Sequence, residues 1–459
     1  MTRFPLPSAK KLGWAIAIAL VLLLPAIWNR YPLLYSDTGE YLLSALTKRP
    51  PRVRTVGYGL WLWATGGTFT LWAPIVAQAL LLGALLVRTI TALEVALSPR
   101  VMLALCAALL VTGAPWMASE AMPDVFTGAV LLATWLALAH WPRLGAATRA
   151  LVVGTIIVGI ATHVTMPVVF LLLLLVVLLL AGRTRVVLPR RAVTSAVSAL
   201  VALSVVALAT FNWARTEHAA LTRKPSVFVL GHLVESGLAS RVLAERCAVE
   251  PFALCPFQAG LTQPIESFIW NDSSPFYKAY QNEDQLRDDT RRLAVAVAIH
   301  EPLGLTASVL AYGARQFVDV EVFDKARVLP ANRFTRSVVA FVLPHEEQAM
   351  IGARQERGGF PAPRLADGII LGALLLSLAI SAWMIARALR GGVVTLGGGA
   401  GLQLYLWTAL VINALLCANL SGVFGRYQGR LAWLLPVLVA VTLAAPRREP
   451  GARGVRRGE

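Results

Sequence analysis

Charge is scarce in this chain. Asp, Glu, Lys and Arg make up only 15% of its 459 residues, too little to cover the surface of a soluble protein of this length. Internal repeats, low-complexity tracts and soluble cofactor motifs are also missing. The one glycine-rich stretch, Gly398-Gly399-Ala400-Gly401, opens an apolar segment and reads as a turn rather than a phosphate loop. What is present in excess is apolar: 57% hydrophobic residues and a mean hydropathy of +0.65.

Apolar runs of membrane-crossing character fall near 13–28, 71–87, 101–116, 122–139, 150–165, 166–181, 193–211, 366–386, 401–418 and 431–446. The expected fold is therefore an all-α polytopic membrane protein of about ten transmembrane helices with a mixed extracytoplasmic insert. The first run follows a basic start but lacks a small-residue cleavage site, and Trp28-Asn29-Arg30 follows it. It reads as a retained signal anchor.

The formal charge is +17, and its distribution excludes a nucleic-acid partner. Alternate connections hold Arg3, Lys10 and Lys11; Arg88 and Arg100; Arg143 and Arg149; Arg183, Arg185, Arg190 and Arg191; Arg387 and Arg390; and the tail arginines from Arg447 to Arg457. Those connections carry 18 basic residues against three acids, Glu94, Glu449 and Glu459, whereas the opposite side has 24 against 22. Such asymmetry is the positive-inside signature and places both termini in the cytoplasm. The basicity is topological.

Three regions follow: an N-terminal transmembrane module over 1–211 with outer loops at 29–71 and 116–124, an outer insert over 212–365, and a C-terminal transmembrane module with a basic tail over 366–459. Within the insert, 284–300 reads as an amphipathic helix. Residues 303–318 are apolar enough to lie on the membrane surface; the alternative, a hidden pair of extra spans, would need to bury Arg315 and Asp319. Cys247 and Cys255 sit close together on the oxidising side and favour a disulfide. A metal pair is weaker, because no neighbouring His or Cys completes a site. Cys106 and Cys417 lie inside apolar runs as packing residues.

The chemistry-bearing residues cluster at the outer junctions. Asp37 and Glu40 in Tyr35-Ser36-Asp37-Thr38-Gly39-Glu40-Tyr41-Leu42 would share a helix face, and the bland reading is a helix cap with Glu40 at its third position. Arg54 and Tyr58 in Arg54-Thr55-Val56-Gly57-Tyr58-Gly59 suit a phosphate and an apolar lipid groove, or simply an interfacial belt. Glu120 and Asp124 follow Ser119 at the second junction, where acids are costly unless partnered or used; Ser119 or Asp124 as a cap is the alternative. Arg426 and Arg430 flank Tyr427 and form a two-pronged anion grip or merely order a turn. His163 is a base or a packing residue.

In their order along the chain, Asp37-Thr38-Gly39-Glu40-Tyr41-Leu42, Arg54-Thr55-Val56-Gly57-Tyr58-Gly59, Ser119-Glu120 and Arg426-Tyr427 resemble the GT-C membrane glycosyltransferases, which include protein mannosyltransferases and lipid A aminoarabinose transferases. The likeness covers about the first 180 residues and, more loosely, the last 40. Val56 and Gly59 stand where such enzymes usually have proline, and His163 near where many carry Arg-Pro.

The resemblance implies transfer of a sugar from a polyprenyl-phosphate donor at the outer face of a bacterial-type plasma membrane. It makes Asp37 the general base, Glu120 the residue that positions or assists the acceptor, and Arg54, Arg426 and Arg430 the phosphate grip. Glu40, Tyr58, Asp124, His163 and Tyr427 are secondary candidates. Some members use a divalent metal ion, for which Asp37, Glu40 and Glu120 offer oxygen ligands without distinguishing spacing. Two other classes remain. A lipid or polysaccharide transporter (flippase) would show charges at mid-membrane and a repeated half, and a non-enzymatic envelope-assembly scaffold would use the insert for binding. Convergence of Asp37 and Glu120 on one cavity separates the scaffold from the enzyme.

Overall fold

The structure is a computed structural model. It describes residues 9–51, 53–180, 186–187, 191–216, 221–222, 226–328, 330–360, 362–392 and 394–445; Arg3, Arg183, Arg185, Arg190 and the tail arginines lie outside the described residues. It is 76% helical. The principal helices are α1 (Ala9–Leu22), α2 (Thr38–Thr47), α3 (Gly57–Ala64), α4 (Trp72–Ala92), α5 (Pro99–Leu110), α6 (Asp124–His140), α7 (Ala146–Thr162), α8 (Met166–Leu180) and α9 (Arg191–Thr216). They continue through α10 (Ser226–Glu235), α11 (Leu238–Arg246), α12 (Glu283–His300), α13 (Pro302–Val318) and α14 (Arg333–Val342), and close with α15 (Pro363–Arg390), α16 (Gly399–Leu420), α17 (Gly425–Ala432) and α18 (Leu434–Ala444).

Among the described residues, six helices are long and apolar enough to cross a membrane, or up to eight if each of two bent pairs counts as one span. The expected number was about ten. The shortfall lies in the lengths of α1, α5, α7 and α8, which have 14, 12, 17 and 15 residues, whereas a bilayer core takes about 20. Local chemistry sets several ends. Ser98 caps α5, its hydroxyl accepting from the Val101 amide at 3.3 Å, with Pro99 at the first helical position. Asn282 and Asn332 cap α12 and α14 in the same way.

Connections between the membrane helices segregate to two ends. At the basic end, Val186 and Val187 pair in a short parallel ladder with Val394 and Thr395, and Arg143 lies 3.8 Å from Glu94. At the other end, the two outer junctions are stitched together: the Leu33 amide donates to the Ser119 carbonyl at 2.9 Å, and the Ala121 amide to the Leu33 carbonyl at 2.9 Å. Pro25 breaks the first helix there. The Ser119 hydroxyl bridges the gap, accepting from the Ala26 amide at 3.1 Å and donating to the Leu22 carbonyl at 3.0 Å. A side chain inserted into an i→i−4 pair is a recognised cause of a kink, so Ser119 is structural rather than a cap.

The insert departs from the sequence expectation twice. It is helical rather than mixed, with no strand among its described residues. It also divides. Residues from Val227 to Val297 build a separate small core with Val53, whereas Val320, Val322, Phe323, Val339 and Leu343 belong to the main core. Helix α13, expected on the membrane surface, instead lies antiparallel along α16: Asn419 donates to the Val309 carbonyl at 3.2 Å, and the Phe317 and Trp407 rings are 6.2 Å apart. Gly313 makes the approach close, since a Cβ there would meet the Leu415 side chain.

Cys247 and Cys255 form a disulfide with a Cα–Cα distance of 5.7 Å, tying the end of α11 to the turn beyond it. Replacing both with serine is expected to lower stability by roughly 2–3 kcal/mol, the loop being short, and to leave any membrane-face chemistry intact. Denaturant unfolding of the purified protein reads the first effect, and two free thiols in the native oxidised protein would contradict the bond.

Candidate active site

Helix α2 begins at Thr38, so Asp37 occupies its N-cap position, yet its carboxylate makes no cap hydrogen bond. The cap reading of Asp37 is thereby corrected. Its Oδ2 accepts from Arg54 Nη2 at 2.8 Å and Nε at 3.1 Å, and from Arg426 Nη2 at 3.4 Å. Residues from the first outer loop and the last one thus meet on one oxygen. Burial works against the Asp37 anion, but the Arg54 and Arg426 charges outweigh it and hold the carboxyl below the ordinary aspartate value. The side chain retains 18% exposure.

Arg54 reaches this position because two glycines let α3 pack closely. A Cβ at Gly57 would collide with the Ala161 carbonyl at the end of α7, and one at Gly59 would lie 2.5 Å from the Ser44 hydroxyl. Aromatic faces hold the cations. The Arg426 guanidinium lies 4.4 Å from the Tyr35 ring centroid and 5.3 Å from that of Tyr427. Tyr427 also faces Arg430 at 5.1 Å, and its hydroxyl pairs with Ser421 at 2.9 Å.

Arg430 is fully buried behind this pair. It donates to His163 Nε2 at 2.7 Å, to Asn413 Oδ1 at 3.2 Å and to Cys417 Sγ at 3.2 Å. Since arginine only donates, the ring nitrogen facing it accepts, and His163 is neutral. Burial and the charges of Arg430, Arg426 and Arg54 keep it well below the ordinary histidine range. Asp124 is completely buried at the start of α6, 3.9 Å from His163 Nε2, and neither of its oxygens has a hydrogen bond among the described residues. A cleft lined by Tyr41, Arg54, His163, Phe228, Tyr427 and Arg430 opens beside these groups, with Phe228 contributed by α10 of the insert.

Glu120 sits elsewhere. It is 0% exposed and is clasped by an equally buried arginine, Arg327, whose Nε and Nη2 donate to its two oxygens at 3.0 and 2.9 Å. Arg327 also donates to the Val322 carbonyl, tying the 322–327 stretch of the insert to the second junction. A carboxylate so enclosed does not reach an acceptor, and its expected acceptor role is corrected to a structural one. Neither Asp37 nor Glu120 lines that cleft, so the convergence on one cavity expected of the enzyme is not met, and only a chain of contacts links the two. Tyr35 lies between their partners, 4.4 Å from Arg426 and 5.6 Å from Arg327, and donates to Asp324 at 2.8 Å.

The other candidates separate in the same way. Tyr58 is fully buried and donates to Gln78 at 3.3 Å, which in turn holds the Ala118 and Glu120 carbonyls. Tyr58 supports the site without lining it. The metal trio of Asp37, Glu40 and Glu120 is not assembled: two of the three are paired with arginines, and no group of three or more His, Cys, Asp or Glu residues suited to a metal ion occurs among the described residues.

Sequence reading missed Arg327, Tyr35 and Asn413. Arg327 stands in a mixed polar stretch with no periodicity to mark it. Asn413 left a usable signal as a lone amide inside an apolar run.

Compared with known protein families, with curated proteins and with solved structures, the chain has no significant match to any.

Proposed function

We propose that this protein is a membrane glycosyltransferase of GT-C character that moves a sugar from a polyprenyl-phosphate carrier to an envelope acceptor at the outer membrane face. The observation that carries the reading is the meeting of Arg54 and Arg426 on the Asp37 carboxylate, beside a cleft that Arg54 and Arg430 line together with Tyr41, Phe228 and Tyr427. Fixed cations of this kind stabilise charge developing on a leaving phosphate, and aromatic walls suit a lipid carrier. On this reading the three shorter apolar helices α5, α7 and α8 and the apolar α1 cross along with the six long ones, which would make ten spans with both termini on the basic, cytoplasmic side of a bacterial-type inner membrane.

In this mechanism the acceptor's hydroxyl or amine attacks the anomeric carbon. Its proton passes to an Asp37 oxygen, and the bond from that carbon to the phosphate oxygen breaks with its electron pair on the polyprenyl phosphate. Before the donor arrives, Asp37 is the shared countercharge of Arg54 and Arg426. A phosphate entering the cleft shares those guanidiniums, which frees the carboxylate and raises its basicity. Arg430 is held by His163, Asn413 and Cys417, so its contribution is the charge behind the cleft rather than a mobile prong.

Mass spectrometry of envelope glycans and lipids from a deletion strain, complemented by wild type or by Arg54→Gln with Arg426→Gln, tests the reading. One glycan or lipid should lose a sugar in the deletion and regain it only with wild type. An unchanged envelope, with no polyprenyl-linked sugar accumulating, removes the proposal.

The pH dependence is distinctive. Asp37 titrates below the ordinary aspartate value of about 3.9, so its ionised form persists from neutral pH down past that value. Its ion pairs are lost only as pH falls through the lowered value. His163 is held well below the ordinary histidine value by burial and by the Arg430, Arg426 and Arg54 charges, so it does not charge near that value. Activity is therefore expected to stay level from pH 8 to about 5, with no inflection near the free histidine value of about 6.5. An inflection there that disappears in His163→Gln would contradict this assignment.

A further inference from the structure

An apolar cavity lies at the other end of the molecule, away from Asp37. It is a groove of about 420 Å³ between α6, α7 and α9, walled by Ala137, Trp141, Val153, Ile156, Val197 and Leu200 among others. That volume is within the range of pockets that take lipid-sized or drug-sized ligands, about 300–1,000 Å³. The helices that wall it are membrane helices. Residues 149, 153 and 156 of α7 follow one face at i, i+4 and i+7, so Arg149 stands directly over the groove on the basic side.

Arg149 is held at that mouth rather than trailing into water. Its guanidinium lies 5.2 Å from the Trp141 ring centroid and donates to the Trp141 carbonyl at 3.3 Å. Its Nε is buried and has no hydrogen-bond partner among the described residues. An N–H in that state is a donor in need of an acceptor. Arg143 is nearby in sequence. A charged donor over an apolar slot in the membrane matches a phosphate above an acyl chain.

We propose that this groove binds one acyl chain of an anionic phospholipid from the leaflet at the basic end, with the lipid phosphate accepting from Arg149. The stretch from Arg149 to Ile156 spans about 10 Å at 1.5 Å per residue, enough for the upper part of one chain. The assignment is independent of the outer cleft and of the reaction proposed there. Its occupant is a resident lipid, not the polyprenyl donor. A zwitterionic phospholipid offers the same phosphate but carries its own ammonium, which the cationic mouth disfavours.

The test is native mass spectrometry of the full-length protein purified in mild detergent and exchanged into equal amounts of phosphatidylglycerol and phosphatidylethanolamine. Wild type should retain one phosphatidylglycerol in preference. Arg149→Gln should cut that preference about fivefold, the effect of one basic residue on an anionic lipid. Ala196→Phe, which fills the slot without touching charge, should abolish retention of the bound lipid of either kind. Thermal melting of both variants establishes that they are folded. Equal retention of the two lipids by wild type, or undiminished retention by folded Ala196→Phe, overturns the proposal. Should Ala196→Phe not fold, Ile156→Trp fills the same groove from α7 and is read in the same way.

Discussion

Asp37→Asn is expected to lower sugar transfer by on the order of 10²–10⁴-fold, the range over which a positioned base acts, with protein level and membrane insertion unchanged. Asparagine keeps the shape and still accepts a hydrogen bond from Arg54. It cannot take the acceptor's proton, and it removes the charge that faces Arg54 and Arg426 at 2.8 and 3.4 Å. Donor binding and turnover should therefore separate. With the countercharge gone, the guanidiniums are free for a phosphate, so affinity for the polyprenyl donor should hold or rise while turnover collapses. Direct binding of a short-chain polyprenyl phosphate to the variant, set beside single-turnover transfer, checks both. Full transfer activity in Asp37→Asn would take this residue out of the chemistry.

A second large effect is expected at the buried pair. Glu120→Gln leaves Arg327 charged, 0% exposed and without its carboxylate, a loss of about 3–5 kcal/mol by analogy with other broken buried ion pairs. Replacing both partners, Glu120→Leu with Arg327→Met, removes the uncompensated charge and should recover much of that loss. Denaturant midpoints in detergent distinguish the cases. If Glu120 contacts the acceptor instead, the double variant would be stable but inactive. Under the present assignment it keeps measurable transfer, because the pair supports the segment behind the cleft without entering it.

The sequence was most informative where one physical constraint dominates. Apolar run length located the apolar helices: each of the ten runs corresponds to a helix or an adjoining helix pair, and among the described residues six helices are long and apolar enough to cross a membrane. The first outer loop was also legible, since Asp37, Arg54 and Arg426 do meet. Glu120 was misjudged because an acid at a junction looks the same whether it faces a substrate or a buried cation. Only the fold reveals that Arg327, 207 positions later, arrives to neutralise it. Helix α13 was misjudged for a related reason. Moderate apolarity fits either a membrane surface or the flank of another helix, and the small Gly313 opposite Leu415 decides between them through packing that no single window of sequence contains.

The contact between Asp37 and Arg426 joins positions 389 apart, which has a consequence for biogenesis. A nascent chain that has delivered everything up to the fifteenth helix holds Asp37 against a single guanidinium, and its outer face is chemically unfinished. The second cation arrives only with one of the last hairpins to be made, so competence is gained late, near the close of synthesis. Translation intermediates stalled ahead of Gly425 should be inserted in the membrane yet inert.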